Sequence, residues 1–115
     1  MIFNFNEKVL VENIEVIWEN GSPGSAFSAQ SINNLDLSEF DFVGLICNYY
    51  NTYPNRLMPI AMCPVEVGKQ CACMSPSTIR TMEVTSMTSV NIGGASNADT
   101  KELVPCYILG FKEVG

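Results

Sequence analysis

Apolar and polar residues alternate with a period of two along most of the chain, and β-branched residues are frequent, as is typical of β-strands. The pattern predicts strands over residues 8–18, 42–50, 57–67, 70–74, 78–85, 90–92 and 103–111. Clusters of Gly, Pro, Asn and Ser separate these segments, and no stretch keeps the period of an amphipathic helix. The sequence therefore predicts a single all-β domain over 1–115, an antiparallel β-sandwich, jelly roll or small barrel of about seven or eight short strands.

The first part of the chain is expected to form a half-buried strand followed by a long connection. One face of the strand carries Leu10, Ile14, Val16 and Trp18, and the other carries Asn13 and Glu15. Phe27 and Ile32 are the expected inward anchors of the mostly polar connection. Within residues 36–41, either Asp36 or Ser38 is suited to cap a single helical turn before the next strand.

Proline positions predict where the sheets end. Proline has no N–H for a strand ladder, so Pro59, Pro64 and Pro105 are expected to mark bulged or edge strands and to blunt the edges. Residues 42–50 begin apolar on both faces, which is typical of a central strand. Association between molecules should therefore use sheet faces and side chains more than free strand edges.

Charge narrows the possible functions. The chain of 115 residues and 12.6 kDa carries 6 Lys+Arg and 12 Asp+Glu, a net charge of -6, and no histidine. An acidic chain repels phosphate, so we expect no nucleic-acid partner. Without histidine, Ser-His-Asp and Cys-His catalysis and histidine-ligated zinc are excluded. No apolar stretch approaches the roughly 20 residues that cross a bilayer, and residues 1–8 do not resemble a signal peptide. We therefore expect no membrane partner and synthesis in the cytoplasm.

The chain contains five cysteines, Cys47, Cys63, Cys71, Cys73 and Cys106. Their odd number excludes a fully paired intrachain framework, and no pair has the CxxC spacing common in zinc sites. We interpret them as reduced, small apolar side chains of the core, dispensable to chemistry, and expect no metal and no other cofactor.

Tyrosine and asparagine cluster after the predicted central strand. Tyr49, Tyr50 and Tyr53 lie among asparagines, and such a mixture of rings and amides is suited to binding a sugar or a partner protein. The alternative is a strand end whose rings pack locally. Because only 16% of the residues are charged, we expect apolar surface to remain available for association. The candidate interface or binding residues are Tyr49, Tyr50, Tyr53, Met58, Met62 and Tyr107.

Asp36, Glu39 and Asp41 form a loose acidic cluster. A glycosidase needs two carboxyl groups across one bond, and neighbours on a single turn rarely face each other in that way. The cluster also lacks the register of a calcium loop. We interpret it as a solvated turn and predict no catalytic residues and no enzymatic activity.

Two segments resemble a pattern found in small phage virion proteins. The segment from Trp18 to Gln30 is similar to Trp-x-Asn-x-x-Pro-x-x-x-Phe-x-x-Gln, and residues 35–41 resemble Leu-Asp-Leu-Ser-x-Tyr-Asp, with Phe40 in place of the tyrosine. Residues 105–112 are similar to a closing strand of the form Pro-x-x-Ile-x-Gly-x-Lys. The pattern is that of head-fibre and tail-fibre tip domains of phages that infect Gram-positive and gut bacteria.

The resemblance implies a β-sandwich that assembles as a homotrimer and has no catalytic residues. The motif residues also suit folding roles: Trp18 ends a strand and can seal one end of the sandwich, and Phe27 can staple the returning segment to the core. Leu35, Leu37 and Phe40 are expected to cover the other sheet edge before the central strand. The implied function is that of a structural or adhesive component of the virion: a head fibre, a capsid decoration protein or a tail-associated protein. Other virion proteins and a host-surface glycan are the implied partners.

A second function stays open beside the virion role. The tyrosine-rich segment would also suit a stand-alone carbohydrate-binding module. A stable trimer in solution favours the virion component, whereas a monomer that binds glycans favours the module.

Overall fold

The computed structural model describes residues 2–3, 9–48, 58–76, 78–95 and 102–113. Within these ranges the backbone forms nine strands and no helix. The strands are β1 (Ile2–Phe3), β2 (Val9–Glu19), β3 (Gln30–Ile32), β4 (Phe42–Asn48), β5 (Ile60–Pro64), β6 (Gln70–Met74), β7 (Ile79–Ser86), β8 (Ser89–Ile92) and β9 (Val104–Glu113). Every strand predicted from the sequence is present, and β1 and β3 are additional.

The strands build two antiparallel sheets. The five-stranded sheet has the order β1-β2-β9-β4-β5, and the four-stranded sheet has the order β3-β8-β7-β6. β9 is central and pairs with β2 on one side and with β4 on the other. The predicted antiparallel sandwich is confirmed, as is the central position of β4.

The main core lies between the two sheets, because side chains at alternate positions of each strand point toward the opposite sheet. Its members from the strands include Val43, Leu45, Cys47, Cys63, Cys73, Met82, Val84, Val90, Ile92 and Ile108. The connection before β4 adds Phe27, Ile32, Leu35 and Leu37. The predicted inward positions of Phe27 and Ile32 are therefore confirmed.

The prediction of one apolar face along β2 is wrong, because a bulge reverses which side of the sheet the following side chains face. Val16 pairs with Leu109 and Trp18 pairs with Ile108, so Ile17 is an extra residue in the ladder. Val16 consequently shares the outer side of the sheet with Leu109, whereas Trp18 packs against the main core.

The remaining positions of β2 follow the same register. Ile14 pairs with Phe111 on the outer side, and Glu15 pairs with Gly110 on the inner side. The side chain of Leu10, the other predicted member of the apolar face, lies outside the described residues.

Two of the three prolines mark a sheet edge, as predicted. Pro64 ends the edge strand β5, and Pro59 directly precedes it. Pro105 does not blunt an edge, because it lies in the central strand β9. The register of β9 against β4 shifts beside it, between Ile46 and Cys47, and such a bulge tolerates a residue without an N–H.

The segment before β4 forms one hydrogen-bonded turn, with no helix assigned. Phe40 N donates to the Leu37 carbonyl at 3.1 Å. Asp36 Oδ1 accepts hydrogen bonds from the Ser38 amide at 3.1 Å and from the Ser38 hydroxyl at 2.6 Å. Asp36 is thus the capping residue of this turn.

Three residues of the segment that resembles virion proteins attach the connection to the sandwich. Trp18 and Phe27 meet edge to face, with 6.3 Å between ring centroids and 73° between ring planes. The backbone N–H of Asn20 donates to the Cys106 carbonyl at 2.9 Å, and the side-chain Nδ2 of Asn20 donates to the Pro105 carbonyl at 2.7 Å. The connection is thereby joined to β9 and to the core.

Candidate functional site

The outer side of the five-stranded sheet, here called the outer face, is apolar except at its ends. Residues directly opposite each other in an antiparallel pair lie on the same side of a sheet, so the strand registers define its members. They are Ile14, Val16, Glu19, Phe42, Gly44, Ile46, Ile60, Met62, Pro64, Tyr107, Leu109, Phe111 and Glu113. Leu109 and Phe111 form the centre of a cluster that is separate from the main core.

An aromatic ring packed against a glycine lies at the centre of the outer face. A Cβ atom on Gly44 would lie 2.7 Å from Cε2 of Phe111, so the ring occupies the space that any other residue would need. Phe111 is therefore only 1% exposed, although no further sheet of the described residues covers it.

The margins of the outer face are open. Val16 is 57% exposed and Ile60 is 56% exposed. The two charged members of the face among the described residues, Glu19 and Glu113, lie at the ends of β2 and β9, away from the centre of the face. Within the described ranges, no helix or second sheet packs on this side. A contiguous apolar area of this kind on a small domain is typical of an interaction surface.

The structure brings together two of the candidate residues predicted from the sequence. Met62 on β5 and Tyr107 on β9 are both half-buried members of the outer face. Met58 is half-buried just before β5. Tyr49, Tyr50 and Tyr53 lie outside the described residues, and their role as a binding segment stays a prediction.

A polar cleft of about 440 Å³ lies at one end of the molecule. It is lined by Asn13, Glu15, Ser38, Glu39, Phe40, Asp41 and Lys112. The pairing of Glu15 with Gly110 places it on the inner side of the sheet, because a Cβ on Gly110 would lie 2.6 Å from the Phe40 ring. The cleft and the outer face are therefore on opposite sides of the five-stranded sheet.

Only part of the predicted acidic cluster reaches this cleft. Glu39 and Asp41 line it together with Glu15, whereas Asp36 caps the neighbouring turn. Asp41 Oδ2 accepts a hydrogen bond from the Glu113 amide at 2.8 Å, so this carboxylate has a structural role in joining the turn to β9. The cleft offers hydrogen-bonding groups to a polar ligand, but its geometry does not define a carboxylate pair across a bond.

Four of the five cysteines form two side-chain pairs between the sheets. All five are free thiols, and all but the half-buried Cys71 are buried, as the sequence predicted for small core residues. Cys47 on β4 interacts with Cys73 on β6, and Cys63 on β5 interacts with Cys71 on β6. The sequence showed no sign of these pairs, because they arise from the way one sheet lies over the other.

Hydrogen bonding within each pair separates the pKa values of the two thiols. The bond with Cys47 lowers the pKa of Cys73, and the bond with Cys71 lowers the pKa of Cys63. The pKa of each partner is raised, by the same bond and by burial. Burial also raises the pKa of the fifth thiol, Cys106, to about 11. Cys73 and Cys63 are thus the thiols that ionise more readily in their pairs.

Arg80 is a fully buried cation that the sequence reasoning missed. Its Nε donates to the Leu103 carbonyl at 2.8 Å, and its Nη2 donates to the Glu102 carbonyl at 3.0 Å. Its Nη1 donates to the carbonyls of Phe27 at 3.1 Å and of Gly93 at 3.0 Å. Burial lowers the pKa of the guanidinium, which these carbonyl oxygens solvate in place of water.

Arg80 joins three segments that the chain order keeps apart. Its guanidinium carbon lies 5.5 Å from the centre of the Phe27 ring, in a cation–π contact. It also holds Leu103, whose φ of 48° lies in the left-handed region that is unfavourable for leucine. The sequence did indicate that Arg80 is buried, because Arg80, Met82 and Val84 occupy alternate positions of β7 and therefore face the same side.

The chain matches no known protein family, no curated protein and no solved structure in comparisons with each. In the part of the chain that the structure describes, no three Cys, Asp or Glu side chains are grouped so as to hold a metal ion. The same residues include no helix that is long and apolar enough to cross a membrane. The expected lack of a cofactor and of enzymatic activity stays a prediction.

Proposed function

We propose that this protein is a non-enzymatic structural or adhesive component of a phage virion, which assembles with copies of itself through the outer face. The observation that supports the proposal is an apolar sheet face with exposed margins, whose charged members lie only at its ends, on a chain of net charge -6. The resemblance of the Trp18–Gln30 and 35–41 segments to head-fibre and tail-fibre tip domains gives the class of particle and implies three copies.

A second copy of the same chain is the occupant that the charges favour. Each copy has a net charge of -6, so most surfaces of two copies repel each other. The centre of the outer face brings no charge to a contact, since Glu19 and Glu113 lie at its ends. A regular pleated surface can stack on another sheet as the inner sides of the sandwich do. Association by apolar burial should persist at raised salt, because salt screens the repulsion between copies.

The polar cleft supports the alternative function, a carbohydrate-binding module. Its amide, hydroxyl, ammonium and carboxylate groups are those that pair with sugar hydroxyls. Phe40 is the only aromatic residue among the described residues that line it, and Phe40 is buried, so these residues offer no exposed ring on which a sugar could stack. The outer face is therefore the better supported site.

Light scattering on the full chain and two matched variants tests the assembly. Val16→Glu places a charge on the outer face, and Val67→Glu places the same charge at a site of equal exposure, 60% against 57%, in the turn between β5 and β6. We expect the wild type and Val67→Glu to be oligomers of equal mass at tens of micromolar, and Val16→Glu to be a monomer with an unchanged circular dichroism spectrum.

A monomeric wild type at both low and high salt would overturn the assembly proposal. A glycan array with the same sample then addresses the alternative, because a monomer that binds a defined sugar is a carbohydrate-binding module. An oligomer that Val16→Glu leaves intact would place the interface elsewhere on the molecule and would equally refute the role of the outer face.

A further inference from the structure

The two thiol pairs lie where the sheets of the sandwich come closest. Stacked sheets are usually separated by about 10 Å, a distance that a disulfide cannot bridge. Here β6 of the four-stranded sheet has Cα atoms within 8 Å of both β4 and β5 of the five-stranded sheet. The Cys73 sulfur is 3.3 Å from the Leu45 carbonyl oxygen of β4 and 3.5 Å from the Pro59 oxygen. β6 is thus inserted against the neighbouring sheet through its cysteines.

The strand registers direct all four thiols into the same interior. Cys63 pairs with the buried Val43 across β5 and β4, and Cys71 pairs with the buried Met82 across β6 and β7. Residues opposite each other share a side, so each of these cysteines faces the core. Cys47 and Cys73 are themselves fully or almost fully buried members of that core.

We propose that Cys63 with Cys71, and Cys47 with Cys73, are two latent disulfides that fasten the sheets together when the protein leaves a reducing compartment. Cys106 remains a free thiol. Both bonds would attach β6 to the other sheet, one to β5 and the other to β4. The inference is independent of the assembly through the outer face.

A small peroxide is an oxidant that can reach these sites. The Cys63 thiolate attacks one oxygen of hydrogen peroxide, which breaks the O–O bond, forms a sulfenic acid and releases hydroxide. The Cys71 sulfur then attacks the Cys63 sulfur, and the S–O bond breaks with loss of water. In sum, two thiols and one hydrogen peroxide give one disulfide and two waters. Cys47 and Cys73 react by the same sequence.

Exposure predicts the order of the two reactions. Cys71 is half-buried, whereas Cys47 and Cys73 are at most 1% exposed. The Cys63–Cys71 bond should therefore form first. Each bond constrains the unfolded chain and should lower the equilibrium constant of unfolding by on the order of a hundredfold.

The experiment treats the purified full chain with hydrogen peroxide after removal of reductant. Thiols are counted in denaturant, and tryptic peptides are mapped by mass spectrometry without reduction. Cleavage after Arg56, Lys69 and Arg80 places Cys47, Cys63 and the two cysteines of β6 on three separate peptides. We expect the thiol count to fall from five to one, and all three peptides to be linked to one another.

Single variants assign the two bonds. Cys71→Ser should retain only the link between the peptides of Cys47 and Cys73, and Cys73→Ser should retain only the link between those of Cys63 and Cys71. Cys106→Ser is the matched control, because its thiol has no partner in the scheme, and it should give both links as in the wild type.

Several results would overturn the proposal. Five thiols that survive peroxide, sulfinic acids in place of links, or links that include Cys106 would each show that the pairs are not latent disulfides. The mapping of the wild-type chain decides this even if one of the serine variants fails to fold.

Discussion

The two sides of the five-stranded sheet have similar side chains but different surroundings. The inner side presents Val43, Leu45 and Ile108 to the four-stranded sheet. The outer face presents Phe42, Ile46 and Leu109 from the same two strands, and no third sheet or helix of the described residues packs on it. Strands that are apolar on both sides are typical of sheets that have another layer packed on each face. The difference teaches that packing of the second sheet accounts for the apolar inner side of β4 and β9, whereas no other described sheet or helix accounts for the apolar outer face.

The two sides also differ in their polar groups. The interior behind the inner side holds the guanidinium of Arg80, which fixes three segments by directional hydrogen bonds. The charged residues of the outer face, Glu19 and Glu113, lie at its ends rather than among its buried side chains. Directional bonds specify one internal arrangement, whereas an apolar face can accept another molecule. Substitutions on the two sides should therefore affect different properties, stability on the inner side and association on the outer face.

Arg80→Met should give the largest effect. The methionine fills most of the space but leaves the carbonyls of Phe27, Gly93, Glu102 and Leu103 without their buried donor. A buried acceptor that loses its donor costs about 1–3 kcal/mol, and four carbonyls are affected, so we expect a total loss of at least about 3 kcal/mol. Urea unfolding followed by circular dichroism measures the change, and a loss below about 1 kcal/mol would show that the guanidinium does not support the fold.

Trp18→Ala and Val16→Ala compare the two sides within one strand. Trp18 packs on the main core and on Phe27 but is half-buried, so we expect a loss of about 2–3 kcal/mol, below that of a fully buried ring. Val16 is on the outer face, and its truncation should change monomer stability by less than about 0.5 kcal/mol. The comparison is made by thermal unfolding at concentrations where light scattering finds monomers. Equal losses would contradict the assignment of these residues to opposite sides.

Gly110→Ala and Gly44→Ala compare the two glycine–ring contacts. A Cβ on Gly110 would lie 2.6–2.7 Å from Cγ, Cδ1 and Cδ2 of Phe40, atoms near the base of the ring that cannot swing away. A Cβ on Gly44 would meet Cε2 of Phe111, at the far edge of the ring. Overpacking costs about 1–3 kcal/mol, and we expect Gly110→Ala to lie at the upper end and Gly44→Ala at the lower end.

A third glycine provides the control for this comparison. Gly21 has nothing within 4 Å of its Cβ position, so Gly21→Ala should leave the melting temperature nearly unchanged. A larger loss for Gly44→Ala than for Gly110→Ala would mean that the ring on the outer face is the more rigidly held of the two.

The sequence predicts the strands and most of the core, because these depend on local alternation. It did not predict which side of the sheet each residue of β2 faces, since the bulge at Ile17 shifts the alternation and leaves no mark in composition. Pro105 was likewise read as an edge signal, although a bulge accommodates it in a central strand. Local patterns thus define the elements, and bulges decide their orientation.

Less of the candidate sites than of the fold could be predicted from the sequence. Met62 and Tyr107 were chosen for their residue type, and their place on one face depends on the register of β5, β4 and β9. The thiol pairs depend on the approach of two sheets that no local pattern encodes. The buried position of Arg80, in contrast, could have been predicted, because Arg80 alternates with the apolar Met82 along β7 and so faces the same side of the strand.

The pairing of β2 with β9 has a consequence for synthesis of the protein. Trp18 pairs with Ile108, 90 positions later in the chain. β6, β7 and β8 are consecutive and pair with their neighbours in sequence, so they can associate as soon as they leave the ribosome. The five-stranded sheet, in contrast, has to wait for β9, and sheets that depend on such distant pairings fold slowly. During that delay the apolar residues of β4 have no central partner, and the nascent chain passes through a period in which its most apolar strand is open to incorrect contacts.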